Sequence, residues 1–306
     1  MKRKLVKQGK NALTVTLPSE WARMHSLTAG DEVDLGEHEG NIVISGKGTP
    51  KMKRVTINAA DFQPFLKRVI STLYKGGYDE IEILLSAPQD IKDVKEALAS
   101  LISFDIIEKQ ERRVIIKTLA VPDGMEYDAV MRRIFLMLLD MSEKTITMLK
   151  SDNYSLAEEI IDLESMNNKF TDYCKRLIIK QLLLTPDKTA KYYAFHSYLE
   201  MITDQYKYIA KQVSEKRLSR ITDLVPLAQA THSFLEDFYK LQYSFTKERF
   251  VAYSKKRKQL LEDLFLTLER SKEKRIVHNL LNVVQLAYDA SVSMSGIQLT
   301  REIGIS

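Results

Sequence analysis

Lys7-Gln8-Gly9-Lys10-Asn11-Ala12-Leu13-Thr14-Val15-Thr16-Leu17-Pro18 places a glycine between two basic residues, then alternates apolar side chains with threonines up to a proline. A period of two is that of a half-buried β-strand, and Leu5 carries the same alternation upstream. Pro18 starts a short helical turn through Trp21 and Met24. Leu27-Thr28-Ala29-Gly30-Asp31 then supplies a turn, Val33 and Leu35 alternate again, and Glu37-His38-Glu39-Gly40-Asn41 forms a hairpin loop before Ile42-Val43-Ile44. Roughly 45 residues of thin strand and one helical turn bury too little apolar surface to stand alone, so two chains are expected to combine here. Ser45-Gly46-Lys47-Gly48-Thr49-Pro50 breaks the periodicity and marks a linker.

Downstream the period changes twice. From Arg54 the pattern predicts strand (Val55 to Asn58), helix (Phe62 to Lys75), strand (Ile81 to Leu85), helix (Ile91 to Ile102) and two strands (Ile106 to Lys109, Val114 to Leu119), a small α/β layer. Gly76-Gly77 closes the first helix and Ala87-Pro88-Gln89-Asp90 opens the second. Beyond Pro122-Asp123-Gly124 apolar residues recur at helical spacing, with Met131, Ile134, Phe135, Leu138 and Met141 on one stripe and Ile160, Leu163, Phe170, Leu177 and Ile178 on another. Breaks at Asp152-Asn153, Thr185-Pro186-Asp187, Arg220 to Pro226, Phe245-Thr246 and Ser271 to Lys274 divide this region into about six helices, hence two three-helix units. The expected class is therefore multidomain α+β, with residues 1–48 a small β module that dimerises, 51–121 a small α/β domain and 122–306 an all-α domain.

Composition limits the function. The 306 residues carry a formal charge of +5, so any nucleic-acid role must come from a local patch rather than a global field. Lys2, Arg3, Lys4, Lys7 and Lys10 crowd the first ten residues without an acid, while Asp31, Glu32, Asp34, Glu37 and Glu39 lie at the other end of the module. Such polarity aims one face at phosphates, although a basic tail can also be merely solvated. Cys174 is the only cysteine, which excludes a disulfide framework and multi-cysteine zinc sites; it reads as a small core residue. With no signal peptide and no long apolar run, the expected location is the cytoplasm.

The order Lys7-Gln8-Gly9-Lys10-Asn11, Val15-Thr16-Leu17-Pro18, Trp21 and Leu27-Thr28-Ala29-Gly30-Asp31-Glu32-Val33 resembles the swapped-hairpin AbrB/SpoVT/MazE family over residues 3–45. The resemblance implies a dimer that exchanges hairpins, and DNA contact through Arg3, Lys4, Lys7, Lys10 and Asn11, with Arg23 a further candidate. Leu17, Pro18, Trp21, Gly30 and Val33 are the turn and core residues such a fold needs. Related modules serve as antitoxins through a disordered tail, a use that the helical region following here argues against.

Within that helical region, Leu199-Glu200-Met201-Ile202-Thr203-Asp204-Gln205-Tyr206-Lys207-Tyr208-Ile209-Ala210-Lys211-Gln212-Val213 puts two carboxylates one turn apart on one face. Two donors make a partial cation site, to be completed by other helices. The segment resembles the signature of the PhoU family of phosphate-signalling proteins, as do Ala157 to Glu164 continuing to Asn168, and Val284-Gln285-Leu286-Ala287-Tyr288-Asp289 in a second repeat. That resemblance implies a pair of three-helix bundles and a divalent or iron-type metal ion held by Glu164, Asn168, Glu200 and Asp204, with Gln285 and Asp289 a weaker second set. Asn168 and Gln285 stand where acids are expected, and the helix through Lys255-Lys256-Arg257-Lys258 is basic where an acidic one is expected. The alternative for the acidic face is ordinary pairing with Lys207 and Lys211.

Other features read as structural. Histidines 25, 38, 196, 232 and 278 lack metal-ligand spacing, the tyrosines at 192, 193, 198, 206 and 208 read as packing, and the Lys255 to Lys258 run is a solvated face with phosphate or DNA contact as its other use. Phosphate-loop, nucleophile-elbow and cysteine-histidine arrangements are all missing from the sequence, so no enzymatic activity is expected. The sequence leads to a homodimeric, DNA-binding transcriptional regulator whose PhoU-like domain senses or relays phosphate status or docks phosphate-transport or phosphate-signalling proteins. The alternative is a protein-interaction adaptor for a phosphate transporter or sensor kinase, its N-terminal module only dimerising; metal storage or sensing ranks third.

Overall fold

The computed structural model describes residues 2–10, 12–38, 41–46, 52–119, 127–151, 153–180, 186–218 and 221–302. They fall into two compact units, Met1–Met52 and Lys53–Ser306.

In the first unit, β1 (Val6–Gln8) pairs antiparallel with β2 (Ala12–Thr14) in the register Lys7 to Leu13, and Gly9 turns between them with a φ of 70° that suits glycine. Pro18 leads into α1 (Ser19–Met24), where Trp21 packs its ring 4.6 Å from that of His25. Gly30, at φ 100°, and Asp31 close the following turn. The Asp31 carboxylate accepts from the Thr28 amide (2.6 Å) and hydroxyl (2.9 Å), which hold its pKa below the usual carboxylate range. β3 (Val33–His38) and β4 (Asn41–Gly46) form a second antiparallel pair. The four strands and single turn of helix agree with the alternation in the sequence. None of the described side chains of this unit is buried.

The second unit opens with a four-stranded sheet. β5 (Arg54–Asn58) runs parallel to β6 (Glu80–Leu84), which pairs antiparallel with β8 (Arg113–Thr118); β8 in turn pairs with β7 (Phe104–Gln110), giving the order β5-β6-β8-β7. The connecting helices are α2 (Leu66–Lys75) and α3 (Pro88–Leu98). Both depart from the expected bounds. α2 starts at Leu66 rather than Phe62 because Pro64 forces Gln63 into an extended conformation, leaving Ala59–Phe62 as a separate 3-10 turn. α3 starts at Pro88, three residues earlier than Ile91. Its proline fits the first helical position, and Asp90 accepts from the amides of Ser86 (2.7 Å) and Ala87 (2.9 Å) ahead of it. It ends at Leu98 rather than Ile102, since the chain turns through Ser103 at φ 62° into β7. Ile57, Ile70, Tyr74, Ile81, Ile83, Val94 and Ile116 form this layer's own core.

Six long helices follow: α4 (Tyr127–Lys150), α5 (Ser155–Ile179), α6 (Pro186–Glu215), α7 (Val225–Tyr243), α8 (Lys247–Arg270) and α9 (Lys274–Glu302). α4, α5 and α6 pack on one another, as do α7, α8 and α9, and the pairs α6 with α9 and α4 with α7 join the two triplets. Phe135, Phe195 and Phe238, with ring centroids 5.2 to 6.2 Å apart, tie the triplets through one continuous core. Cys174 lies fully buried in it, where burial pushes its thiol pKa up and suppresses thiolate chemistry. No helix among the described residues is long and apolar enough to cross a membrane.

Candidate functional site

The candidate DNA-contacting residues lie around the first hairpin. Arg3 and Lys4 precede β1, Lys7 lies within it, Lys10 follows Gly9 in the turn, and Arg23 occupies the last turn of α1; all five are exposed. Asn11 lies outside the described residues. The same unit leaves apolar side chains uncovered, among them Leu5 (64% exposed) just before β1 and Leu13 (63%) in β2, and Leu35 (68%) and Ile42 (72%) on the second hairpin. A basic strand next to uncovered leucines combines phosphate attraction with surface that water disfavours.

The candidate metal residues gather on the facing sides of α5 and α6, where lysines hold their carboxylates. Lys207 donates to Glu164 Oε1 at 2.6 Å and also to Asp204 Oδ1. Asn168 Nδ2 donates to the same Glu164 oxygen at 2.6 Å, so the amide that replaces an acid acts here as a donor. Glu200 is held by Lys175, whose side chain is almost wholly buried. Burial, and less strongly Asp204, raise the pKa of Glu164 against the lowering effect of Lys207. In the second repeat the Arg257 guanidinium donates to Gln285 Oε1 at 2.6 Å and lies 4.3 Å from the Tyr288 ring centroid, while Gln285 Nε2 donates to Asp289 at 3.0 Å. These residues do not fit a divalent or iron-type ion: ammonium and guanidinium groups take the acceptor oxygens that a cation would need, and Asn168 and Gln285 direct N–H donors inward. Among the described residues, no three acid, histidine or cysteine side chains converge as a ligand set. Lys207 was legible in the sequence as a pairing partner; Lys175 was not.

The sequence missed the largest fully buried side chain of the second unit. Arg176, on α5, is 1% exposed and donates to the Tyr74 carbonyl (2.9 Å), the Tyr78 carbonyl (2.6 Å) and Asp79 Oδ1 (2.7 Å). Lys180 reaches the same Asp79 oxygen at 2.5 Å, and Asp79 Oδ2 accepts from the Lys53 amide at 3.0 Å. Nearby, Asp172 accepts from the Ser71 hydroxyl at 3.1 Å and pairs with Lys75 at 3.4 Å, and burial raises its pKa. Helix α5 thus carries the acid-lysine network on its middle turns and, on its last turns, a buried ionic junction with the sheet layer. The signal was a Lys175-Arg176 pair set between Cys174 and Leu177 in an otherwise apolar stripe.

Comparison with known proteins finds a local similarity that includes most of the first of these sites. Residues 6–55 match the family model of the antidote-toxin recognition protein MazE, a bacterial antitoxin. The match runs ten residues past the resemblance seen in the sequence, through the linker into the first strand of the sheet layer. A solved structure, the phosphate transport system regulatory protein PhoU from Streptococcus pneumoniae, is similar to the helical part. The similarity is 16% in identity with a TM-score of 0.40, covering 57% of this chain and 93% of that one. No curated protein matches the chain.

Proposed function

We propose that the chain is a homodimeric DNA-binding transcriptional regulator, in which MazE-like modules pair to grip an operator and the PhoU-like helical domain relays phosphate status. The observation that carries this reading is the N-terminal unit itself: a basic hairpin beside exposed leucines, with none of its described side chains buried. A second copy of the same module covers such a surface and sets two basic strands side by side, the symmetry that a two-half-site operator asks for. The helical unit has its own large core and follows where a toxin-binding tail would lie, which favours operator binding over antidote-toxin recognition. The relay of phosphate status rests on the resemblance of residues 199–213 to the phosphate-signalling signature.

Fluorescence anisotropy tests the reading, with the full chain and a chain starting at Lys51 titrated onto the gene's own upstream DNA and onto a scrambled duplex. The expected result is tighter binding to the upstream DNA that weakens steeply with salt and is lost both on truncation and on charge reversal at Lys4, Lys7 and Lys10. Weak binding, equal for both duplexes and indifferent to truncation, would overturn it in favour of an adaptor role.

A further inference from the structure

A pocket of about 200 Å³ lies between the C-terminal half of α7 and the N-terminal half of α8. α7 contributes Asp237 and Lys240; α8 contributes Arg249, Tyr253 and Lys256, spaced by four and three residues and so on one helix face. Three cations face one carboxylate. Lys256 donates to Asp237 Oδ2 (2.5 Å) and to the carbonyl and hydroxyl of Ser233 (3.0 Å each), and Lys240 pairs with the other Asp237 oxygen at 3.5 Å. Arg249 uses one terminal nitrogen on the Ser244 carbonyl at 2.7 Å and on its hydroxyl. Asp237 therefore orients two ammonium groups while the wall keeps a surplus of positive charge.

The second observation is Tyr253. It is 2% exposed, its ring is stacked on Phe234 with centroids 4.1 Å apart, and its hydroxyl is buried without a hydrogen-bond partner. A buried hydroxyl left unpaired costs about 1–3 kcal/mol, so natural structures rarely keep one without a use. Tyr253 and Asp237 both line the cationic pocket.

We propose that this pocket binds a small tetrahedral oxyanion of the phosphate class. Its oxygens accept from the Tyr253 hydroxyl, the remaining N–H groups of Arg249 and the ammonium of Lys240, charge-assisted bonds of the stronger kind. Asp237 supplies discrimination. Monohydrogen phosphate keeps one P–O–H, which donates to a carboxylate with lone pairs to spare, whereas fully ionised sulfate meets that carboxylate only as repulsion. The Lys255 to Lys258 run thereby divides: Lys255 and Lys258 are exposed, Arg257 turns to Gln285, and Lys256 turns into the pocket. As an effector site this deepens the phosphate-status reading and rests on it. Binding itself is measured without DNA, so failure here leaves operator binding standing, and failure of operator binding leaves the pocket standing.

Equilibrium dialysis of the full chain against labelled inorganic phosphate, with sulfate and glycerol phosphate as competitors, tests the assignment. The expected result is one saturable site per chain, at least about tenfold preference for phosphate over sulfate, and a loss of about tenfold in affinity for both Tyr253→Phe and the surface variant Arg249→Gln. Competition by glycerol phosphate stronger than by unlabelled phosphate would support the class and assign the natural ligand to a phosphorylated metabolite. Three results would overturn the proposal: no saturable binding at millimolar phosphate, equal competition by sulfate, or affinity unchanged in both variants, the last placing the anion elsewhere on the basic surface.

Discussion

His196 is buried on α6, with Nε2 2.8 Å from the Tyr127 hydroxyl and Nδ1 without a partner. Burial pushes its pKa down to about 3, and nearby Lys175 adds to the shift. The unfolded chain takes up a proton near the ordinary histidine value of about 6.5, whereas the folded chain does so only near 3. His196 therefore lets stability fall as the pH drops below that ordinary value, at up to about 1.4 kcal/mol per pH unit from this residue alone. The unfolding midpoint should decline as the pH falls below neutrality, and His196→Gln should flatten that decline; identical slopes in chemical denaturation at several pH values would show that another group is responsible. At this scale the sequence was legible where chemistry follows from local order. Gly30 fell in a turn and Pro18 started a helical turn because their backbone preferences act at once. It was not legible where a side chain's role depends on a neighbour far along the chain. Lys175 and Arg176 become pairing groups only because Glu200 and Asp79 arrive from other elements.

Helix α5 is the element on which the second unit turns. Its middle turns meet α6 through Glu164, Asn168 and Lys207, and its last turns meet the sheet layer through Arg176 and Lys180 on Asp79. The Arg176 guanidinium also lies 5.0 Å from the Tyr74 ring centroid and 4.9 Å from that of Phe104, so apolar packing and hydrogen bonds hold it together. Removing one partner of a buried pair strands the other, at a cost of about 3–5 kcal/mol, whereas replacing both by apolar groups costs far less. Asp79→Leu should therefore destabilise the chain by that order, and Arg176→Met should restore a substantial part in the double variant. A double-mutant cycle by denaturant unfolding measures the coupling, and additive effects would sink the idea of a locked junction. Helix count and breaks in this region were readable because apolar periodicity is written locally. The starts of α2 and α3 were misplaced by a few residues, because Pro64 and Asp90 act on the backbone just outside the apolar stripe.

At the scale of the molecule, the two units differ in how they are stabilised. The second has apolar cores of its own in the sheet layer and in the helical bundle. In the first, Leu5, Leu13, Leu35 and Ile42 are all more than 60% exposed, and covering each is worth about 1.5–3 kcal/mol. That asymmetry was visible in the sequence, where alternating strands outnumber the residues able to cover them, and under the proposed reading it assigns association to the small unit. Leu13→Asp with Leu35→Asp should convert a sedimenting dimer into a monomer, because a carboxylate buried between two modules is far costlier than the leucine it replaces. The same variant should keep the thermal transition of the helical unit, whose core it does not touch. It should also lose operator affinity without losing any of the basic side chains, since two half-sites bind tightly only when joined. A chain that remains dimeric with both substitutions would place the dimer contact on the helices and leave the basic hairpins to act singly.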